Sequence, residues 1–437
     1  RGRGAMATAA GTSRLLRRAV ERGALHAANV RSLGPGLACA AVGFGAYRVG
    51  GGEKEPAHAA ALLAALQAGV NLVDTSSHYS AGGAGPGAGH GSSERLVGRL
   101  VAQAVEAGQL EREELVLCTK LGHVARGETP PPGAVPVGHA RGGSDDWHSI
   151  EPGFVRQEVL ASRERLGTVP DFVLLHNPEY FLTAQLQRRA PIADAWDEMY
   201  SRLKEAFVAL EELCDEGAIA AGYGVSANFL SCIFSTTGRS NVYEALAVDR
   251  VVDAAAAAAK AAGRESHRLR LVQLPLNAVE SGAVLGRGSV VPEAAEGDCS
   301  LAGKLGVSVV TNRPLNALPL PGVSSGDWGR NGATHLQLRD AKPMGAVESL
   351  LRRVLLEALA QGPEALPARS LQQLALQLAL SAPSVSCCLC GARTEKYVED
   401  VAAVLRLPPL PAEQVSRALL AVRSAAEELG CERRGLW

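Results

Sequence analysis

The chain has 437 residues, 47% hydrophobic and 20% charged, which is enough apolar material for a large core and too little charge for global disorder. A formal net charge of −1 argues against nucleic acid or an anionic membrane surface as the main partner. No apolar run approaches the roughly 18 residues of a membrane span.

From the N-terminus, residues 1–34 carry Arg1, Arg3, Arg14, Arg17, Arg18, Arg22 and Arg31 against one acid, Glu21. Such an Arg-rich, acid-poor start reads as a chloroplast or mitochondrial transit peptide, or as a disordered basic tail. From there to residue 406 short apolar runs alternate with helical stretches. The predicted strands are 40–44, 71–74, 115–119, 172–176, 218–223, 269–274, 307–311 and 385–389. The predicted helices between them are 57–67, 93–106, 152–166, 193–216, 243–262, 292–304 and 369–380, with 395–405 after the eighth strand. Pro56 suits the first turn of the first helix, Gly69 its left-handed end, and Ser92-Ser93-Glu94 opens the second with a cap and an acid.

Strand runs this apolar imply parallel strands buried on both faces. Eight βα units in series predict a (β/α)₈ TIM barrel over 35–406, with an open doubly wound sheet as the alternative. A further helix is expected over 345–361. Residues 407–437 read as a Pro-rich linker and an extra C-terminal helix over 412–429. Long segments at 80–91, 121–151, 177–192 and 316–344 all follow a strand, so they emerge at the face where barrels carry their sites. Trp147, Tyr180, Phe181 and Trp328 lie on these loops and either line an apolar pocket or pack their own loops down.

Nine cysteines, odd in number and irregular in spacing, argue against a disulfide framework. Cys387, Cys388 and Cys390 have no second Cys/His pair at zinc spacing and read as buried thiols on a strand.

Four polar residues stand where apolar runs stop or just beyond: Asp74 and Tyr79, Lys120, and His176. Released at strand ends, a carboxylate, a phenol, an ammonium and an imidazole can converge on one small volume. There a lysine can lower the pKa of a tyrosine, which then hands a proton to a developing alkoxide. Each residue also has a bland reading, Asp74–Lys120 as a structural ion pair and His176 as a satisfied strand-end histidine. His78 reads as a spectator or as pocket lining. The glycine-rich run 82–91 lacks the spacing of a phosphate cradle and reads as a lid.

The run from Asn71 through Asp74-Thr75-Ser76-Ser77-His78 to Tyr79 resembles the second strand of the aldo-keto reductases. The resemblance continues in order through Gly91-Ser92-Ser93-Glu94, the strand ending at Lys120, the strand ending at His176, the segment from Gly217 to Ser226, Val272-Gln273 and Arg313-Pro314-Leu315. It covers roughly residues 38 to 406. It implies Tyr79 as general acid, Lys120 as the cation beside it held by Asp74, and His176 as the group orienting the carbonyl oxygen. Ser226, Asn228 and Gln273 would pin the carboxamide of a reduced nicotinamide. Arg313, with Pro314 and Leu315, would meet the pyrophosphate.

Gly391, Arg393 and Lys396 resemble the family's adenosine-phosphate segment and favour NADP(H), with NAD as the alternative. The pattern departs from the family at Ala227, which splits a usual Ser-Asn pair, and at Asn312, where an aromatic residue is common. Tyr397 and Val401 replace polar residues. The implied function is reduction of an aldehyde or ketone, a small-molecule carbonyl substrate, to an alcohol without a metal. The alternatives are a nucleotide-binding sensor or assembly subunit on the same barrel, and a sugar or polyol dehydrogenase running oxidatively.

Overall fold

The computed structural model describes residues 6–34, 36–80, 89–137, 146–230, 234–235, 242–243, 246–278, 280–285, 298–315, 353–358 and 370–428. Eight strands form its centre: β1 (Val42–Gly45), β2 (Leu72–Asp74), β3 (Val116–Leu121), β4 (Phe172–His176), β5 (Gly222–Ser226), β6 (Leu269–Pro275), β7 (Ser308–Asn312) and β8 (Val385–Cys390). Each pairs in parallel with the next, and β8 pairs with β1, so the sheet closes on itself. The helices α1 (Glu55–Gln67), α2 (Ser92–Glu106), α3 (Pro152–Leu166), α4 (Ile192–Asp215), α5 (Val248–Ala261), α6 (Asp298–Lys304), α7 (Leu371–Leu380) and α8 (Glu395–Leu405) follow the strands in turn. This is the expected (β/α)₈ barrel, closed rather than open.

The strand period of two sorts side chains into a layer inside the barrel and a layer under the helices. Leu72, Val116, Cys118, Phe172, Leu174, Leu271, Val310, Cys387 and Leu389 pack together inside, while Val73, Leu117, Val173, Leu175 and Val309 belong to the larger core beneath the helices. The inner parity, carried upward, brings a polar residue to or near the end of five strands: Asp74 above Leu72, Lys120 above Cys118, His176 above Leu174, Gln273 above Leu271 and Asn312 above Val310. On β5 the inward positions are Gly224 and Ser226. A Cβ on Gly224 would lie 2.2 Å from the Leu271 carbonyl oxygen, so only glycine lets β5 and β6 close at that level.

The fifth strand starts four residues later than predicted. Gly217 turns left-handed at φ 70°, and the apolar residues 218–221 then cross the floor, where the Ala220 and Ala221 amides donate to the carbonyls of Pro170 and Asp171. Apolar composition alone could not separate that crossing from a strand. Cys387, Cys388 and Cys390 lie buried on β8.

Residues 6–34, expected as a transit peptide or a disordered basic tail, are folded against the barrel, which corrects the disordered reading. Thr8 caps the helix Ala9–Glu21 by accepting the Gly11 amide, and the helix buries Leu15, Leu16 and Ala19. Arg14 and Arg18 pair with the fully buried Glu114, at 3.0 and 2.8 Å. The antiparallel strands Val30–Leu33 and Leu37–Ala40 then plug the barrel floor, adding Leu33, Leu37 and Cys39 to its interior. Arg14 and Arg18, two of the arginines behind the segment's basic look, therefore serve a docking face. The C-terminal helix is present as Ala412–Glu428. The loop 316–344 with Trp328, most of the glycine-rich run 82–91 that reads as a lid, and most of the predicted helix 345–361 lie outside the described residues.

Candidate active site

Lys120 is fully buried, and its ammonium is surrounded by groups from β2 and the loop after it. It donates to Asp74 Oδ2, to the Thr75 carbonyl at 3.1 Å and to the Tyr79 hydroxyl at 3.4 Å. The Gly91-Ser92-Ser93-Glu94 motif seats that loop. Ser93 donates its amide to the Tyr79 carbonyl at 3.1 Å and accepts the Thr75 hydroxyl at 2.8 Å, while buried Glu94 accepts Thr119 from β3 and Arg165 from α3. Tyr79 stands edge-on to Tyr47 and His176, with ring centres 5.3 and 5.6 Å away.

Burial works to discharge Lys120, but Asp74 and then Tyr79 outweigh it and hold the ammonium above its ordinary pKa. Burial likewise pushes the Tyr79 phenol up. Lys120 pulls it down as the sequence led us to expect, but burial together with Asp74 leaves the net direction upward. His176 is held well below the usual histidine range by burial and by Lys120, so its ring is neutral near pH 7. Ser76 Oγ lies 3.3 Å from His176 Nδ1 and 3.2 Å from the Lys120 carbonyl.

These groups border a cavity of about 410 Å³, within the usual range for small-molecule sites. Asp74, Tyr79 and His176 line it, as do Ser226, Asn228, Gln273, Arg313, Pro314, Leu315, Gly391 and Arg393. Lys396 does not; it is exposed on the first turn of α8. Thus the structure brings together all but one of the residues read from the sequence. Of the loop aromatics, Tyr180 lines the cavity, whereas Phe181 is buried beneath the Arg202 guanidinium and Trp147 sits in a short antiparallel pair with Pro136.

Ser226, Asn312 and Gln273 form a hydrogen-bonded chain that reaches Asp74. Ser226 donates to Gln273 Oε1 at 2.9 Å, Asn312 donates to the same oxygen at 3.2 Å, and Gln273 donates to Asp74 Oδ1 at 3.0 Å. Asn312 Oδ1 is buried and has no hydrogen-bond partner.

Sequence reasoning missed an imidazole wall. His123 stacks on His78 with ring centres 3.9 Å apart and lies edge-on to His148, His176 and Tyr180. His148 contacts the His176 carbonyl through Nε2 at 2.6 Å. Gly122, at φ 147°, makes room for it, since a Cβ there would lie 2.5 Å from that nitrogen. His123 follows Lys120 by three residues, so its place beyond a strand end was a usable signal. His148 gave none. Tyr47 and Arg48, just past β1, also line the cavity. Arg48, Asn177 and Arg313 all take left-handed backbone, at φ 61°, 55° and 58°, each just beyond a strand. Non-glycine residues held there are uncommon, and such strain collects at functional sites.

A buried Asp–Lys–Tyr array at the mouth of a ligand-sized cavity lies where (β/α)₈ barrels carry their sites, at the C-terminal ends of the strands. Residues 41–233 match the aldo/keto reductase family, the family whose motifs the sequence resembles. Similar solved structures include the glycerol dehydrogenase AKR11B4 from Gluconobacter oxydans, at TM-score 0.54 and 19% identity, covering 92% of this chain and 97% of that one. The holo form of aldo-keto reductase AKR11C1 from Bacillus halodurans gives TM-score 0.52 and 19% identity, over 90% and 96% of the two chains. An aldo-keto reductase from Klebsiella pneumoniae, solved in complex with NADPH, gives 0.50 and 18%, over 90% and 94%. At these identities the likeness establishes the fold. No curated protein matches the chain.

Proposed function

We propose that this chain is an NADP(H)-dependent oxidoreductase that reduces an aldehyde or ketone to an alcohol. The observation that carries the reading is the Tyr79 hydroxyl at 3.4 Å from the buried Lys120 ammonium, on the wall of the cavity, with Asp74 on the ammonium's other side.

The residues present fit a nicotinamide dinucleotide. Ser226, Asn228 and Gln273 offer hydroxyl and amide groups at one wall, the unpartnered Asn312 Oδ1 can accept an amide N–H, and Arg313 and Arg393 face the same cavity as phosphate partners. When bound, such a group supplies the hydride. Arg393 supports NADP(H) over NAD, since a guanidinium suits a 2′-phosphate.

The chain's own part is to hold the carbonyl and deliver the proton. A phenol whose pKa is raised stays protonated at neutral pH, so Tyr79 always presents its O–H. The Lys120 charge acts on the phenolate that proton transfer creates, stabilising the product side of that step. Neutral His176, its Nδ1 within reach of Ser76 Oγ and its ring on the cavity wall, offers an uncharged imidazole to the carbonyl oxygen. The walls offered by Tyr47, Tyr180 and the histidines limit water around the reacting oxygen.

The test is NADPH consumption against a panel of aldehydes and ketones. Wild-type protein is expected to turn over at least one of them. Tyr79→Phe should lose about 10²–10⁴-fold in rate while still binding NADPH, as expected for removal of a general acid. Undiminished turnover in Tyr79→Phe would defeat the assignment.

A further inference from the structure

The segment Ser226-Ala227-Asn228 leaves β5 directly into the cavity wall, and each of its residues is anchored through the main chain. The Ser226 carbonyl accepts the Asn177 amide at 2.8 Å, and the Ala227 amide donates to the Gln273 carbonyl at 3.0 Å. The third anchor is a side chain. Glu179 Oε1 accepts the Asn228 amide at 2.8 Å and, on the same oxygen, the Asn177 side-chain amide at 3.0 Å.

Glu179 is an unusual choice for that position. It is 1% exposed, and its second oxygen, Oε2, is buried with no hydrogen-bond partner. Burial pushes the carboxyl up to about 7, against the N–H groups of Asn177, Asn228 and its own backbone. A buried carboxylate that uses one oxygen twice and leaves the other unsatisfied costs stability. Acceptance of two N–H groups by one correctly placed oxygen is what it provides in return. Polar groups held against stability in this way mark functional constraint. The Asn177 backbone, left-handed at φ 55°, turns its amide toward this carboxylate.

We infer that Glu179 is a positioning residue for the cofactor's carboxamide site: its Oε1 fixes the Asn228 amide and the Asn177 side chain, and so sets the backbone from which Ser226 and Asn228 face the cavity. This rests on the reading of Ser226 and Asn228 as dinucleotide ligands. Glu179 does not line the cavity and acts only through the loop after β5. Reach matters as much as chemistry. Glutamine at 179 places an acceptor oxygen at the same distance, aspartate withdraws it by one methylene, and alanine removes it.

The experiment measures NADPH affinity by fluorescence titration, and hydrogen exchange over residues 224–230 in cofactor-free protein, for wild type and for Glu179→Gln, Glu179→Asp and Glu179→Ala. Glu179→Ala and Glu179→Asp are expected to bind NADPH about tenfold more weakly and to exchange faster over that segment, a loss typical of one intramolecular hydrogen bond. Glu179→Gln should stay within about twofold of wild type on both measures, a rescue that a general charge or packing role would not produce. Should Glu179→Ala fail to fold, the contrast between Asp and Gln decides. Unchanged affinity in Glu179→Asp and Glu179→Ala, or a Gln variant as weak as Asp, would overturn the inference alone. Wild-type protein that binds no NADPH would overturn the dinucleotide reading, and this inference with it.

Discussion

Lys120 and Asp74 form a pair that stability and catalysis use in different ways. Removing one partner of a buried ion pair strands the other charge, at about 3–5 kcal/mol, whereas replacing both is often near neutral. Lys120→Met is therefore expected to lower both turnover and the thermal midpoint, because Asp74 loses its ammonium and is left with neutral donors such as the Gln273 amide. Adding Asp74→Asn should restore most of the midpoint and none of the turnover. A double variant that recovers activity would show Lys120 to be structural only. At this scale the sequence was informative where a residue's place follows from strand parity. Asp74, Lys120, His176 and Gln273 each sit one step above an inward apolar residue, and that pattern can be read without coordinates. His148 and Glu179 come from segments whose path no period encodes, so their places became visible only in three dimensions.

Among the elements, the helix Ala9–Glu21 and the strands after it do the most that composition concealed. Arginines read one by one look like a targeting signal. Read with their partners, Arg14 and Arg18 neutralise Glu114, whose side chain is 0% exposed. Deleting residues 1–22 takes Leu15, Leu16 and Ala19 from the core and leaves Glu114 with its own local amide contact to Glu111. Burial of each leucine is worth about 1.5–3 kcal/mol. The truncated chain is therefore expected to unfold at clearly lower urea concentration, or to accumulate insoluble. An unchanged urea midpoint would mean that the helix only decorates the barrel. The shifted fifth strand teaches the complementary point. Residues 218–221 are as apolar as a strand, and only the left-handed Gly217 and the amides donated across the floor distinguish them.

At the scale of the whole molecule, the mouth of the barrel is crowded with titratable rings. Burial holds His123 and His176 well below the histidine range, and His78 and His148 at about 4. An unfolded chain binds protons at these positions near pH 6.5, whereas the folded one refuses them until far lower. Stability is therefore complete above pH 6.5 and is lost as pH falls toward 4, at up to about 3 kcal/mol for a fully buried ring. Thermal midpoints between pH 7.5 and 4.5 should fall steeply, and His123→Phe, which keeps an aromatic ring but cannot take a proton, should flatten the slope. A profile indifferent to that change would remove the imidazole wall from the acid response. The odd–even layering of the strands has one more consequence. Lengthening β3 by a single residue below Lys120 would turn its ammonium out among the helices and bring a hydrocarbon to face Tyr79, whereas two added residues would keep the sense of rotation. Through such strands the chain can change length only in pairs, while its rim loops are free to grow by any number.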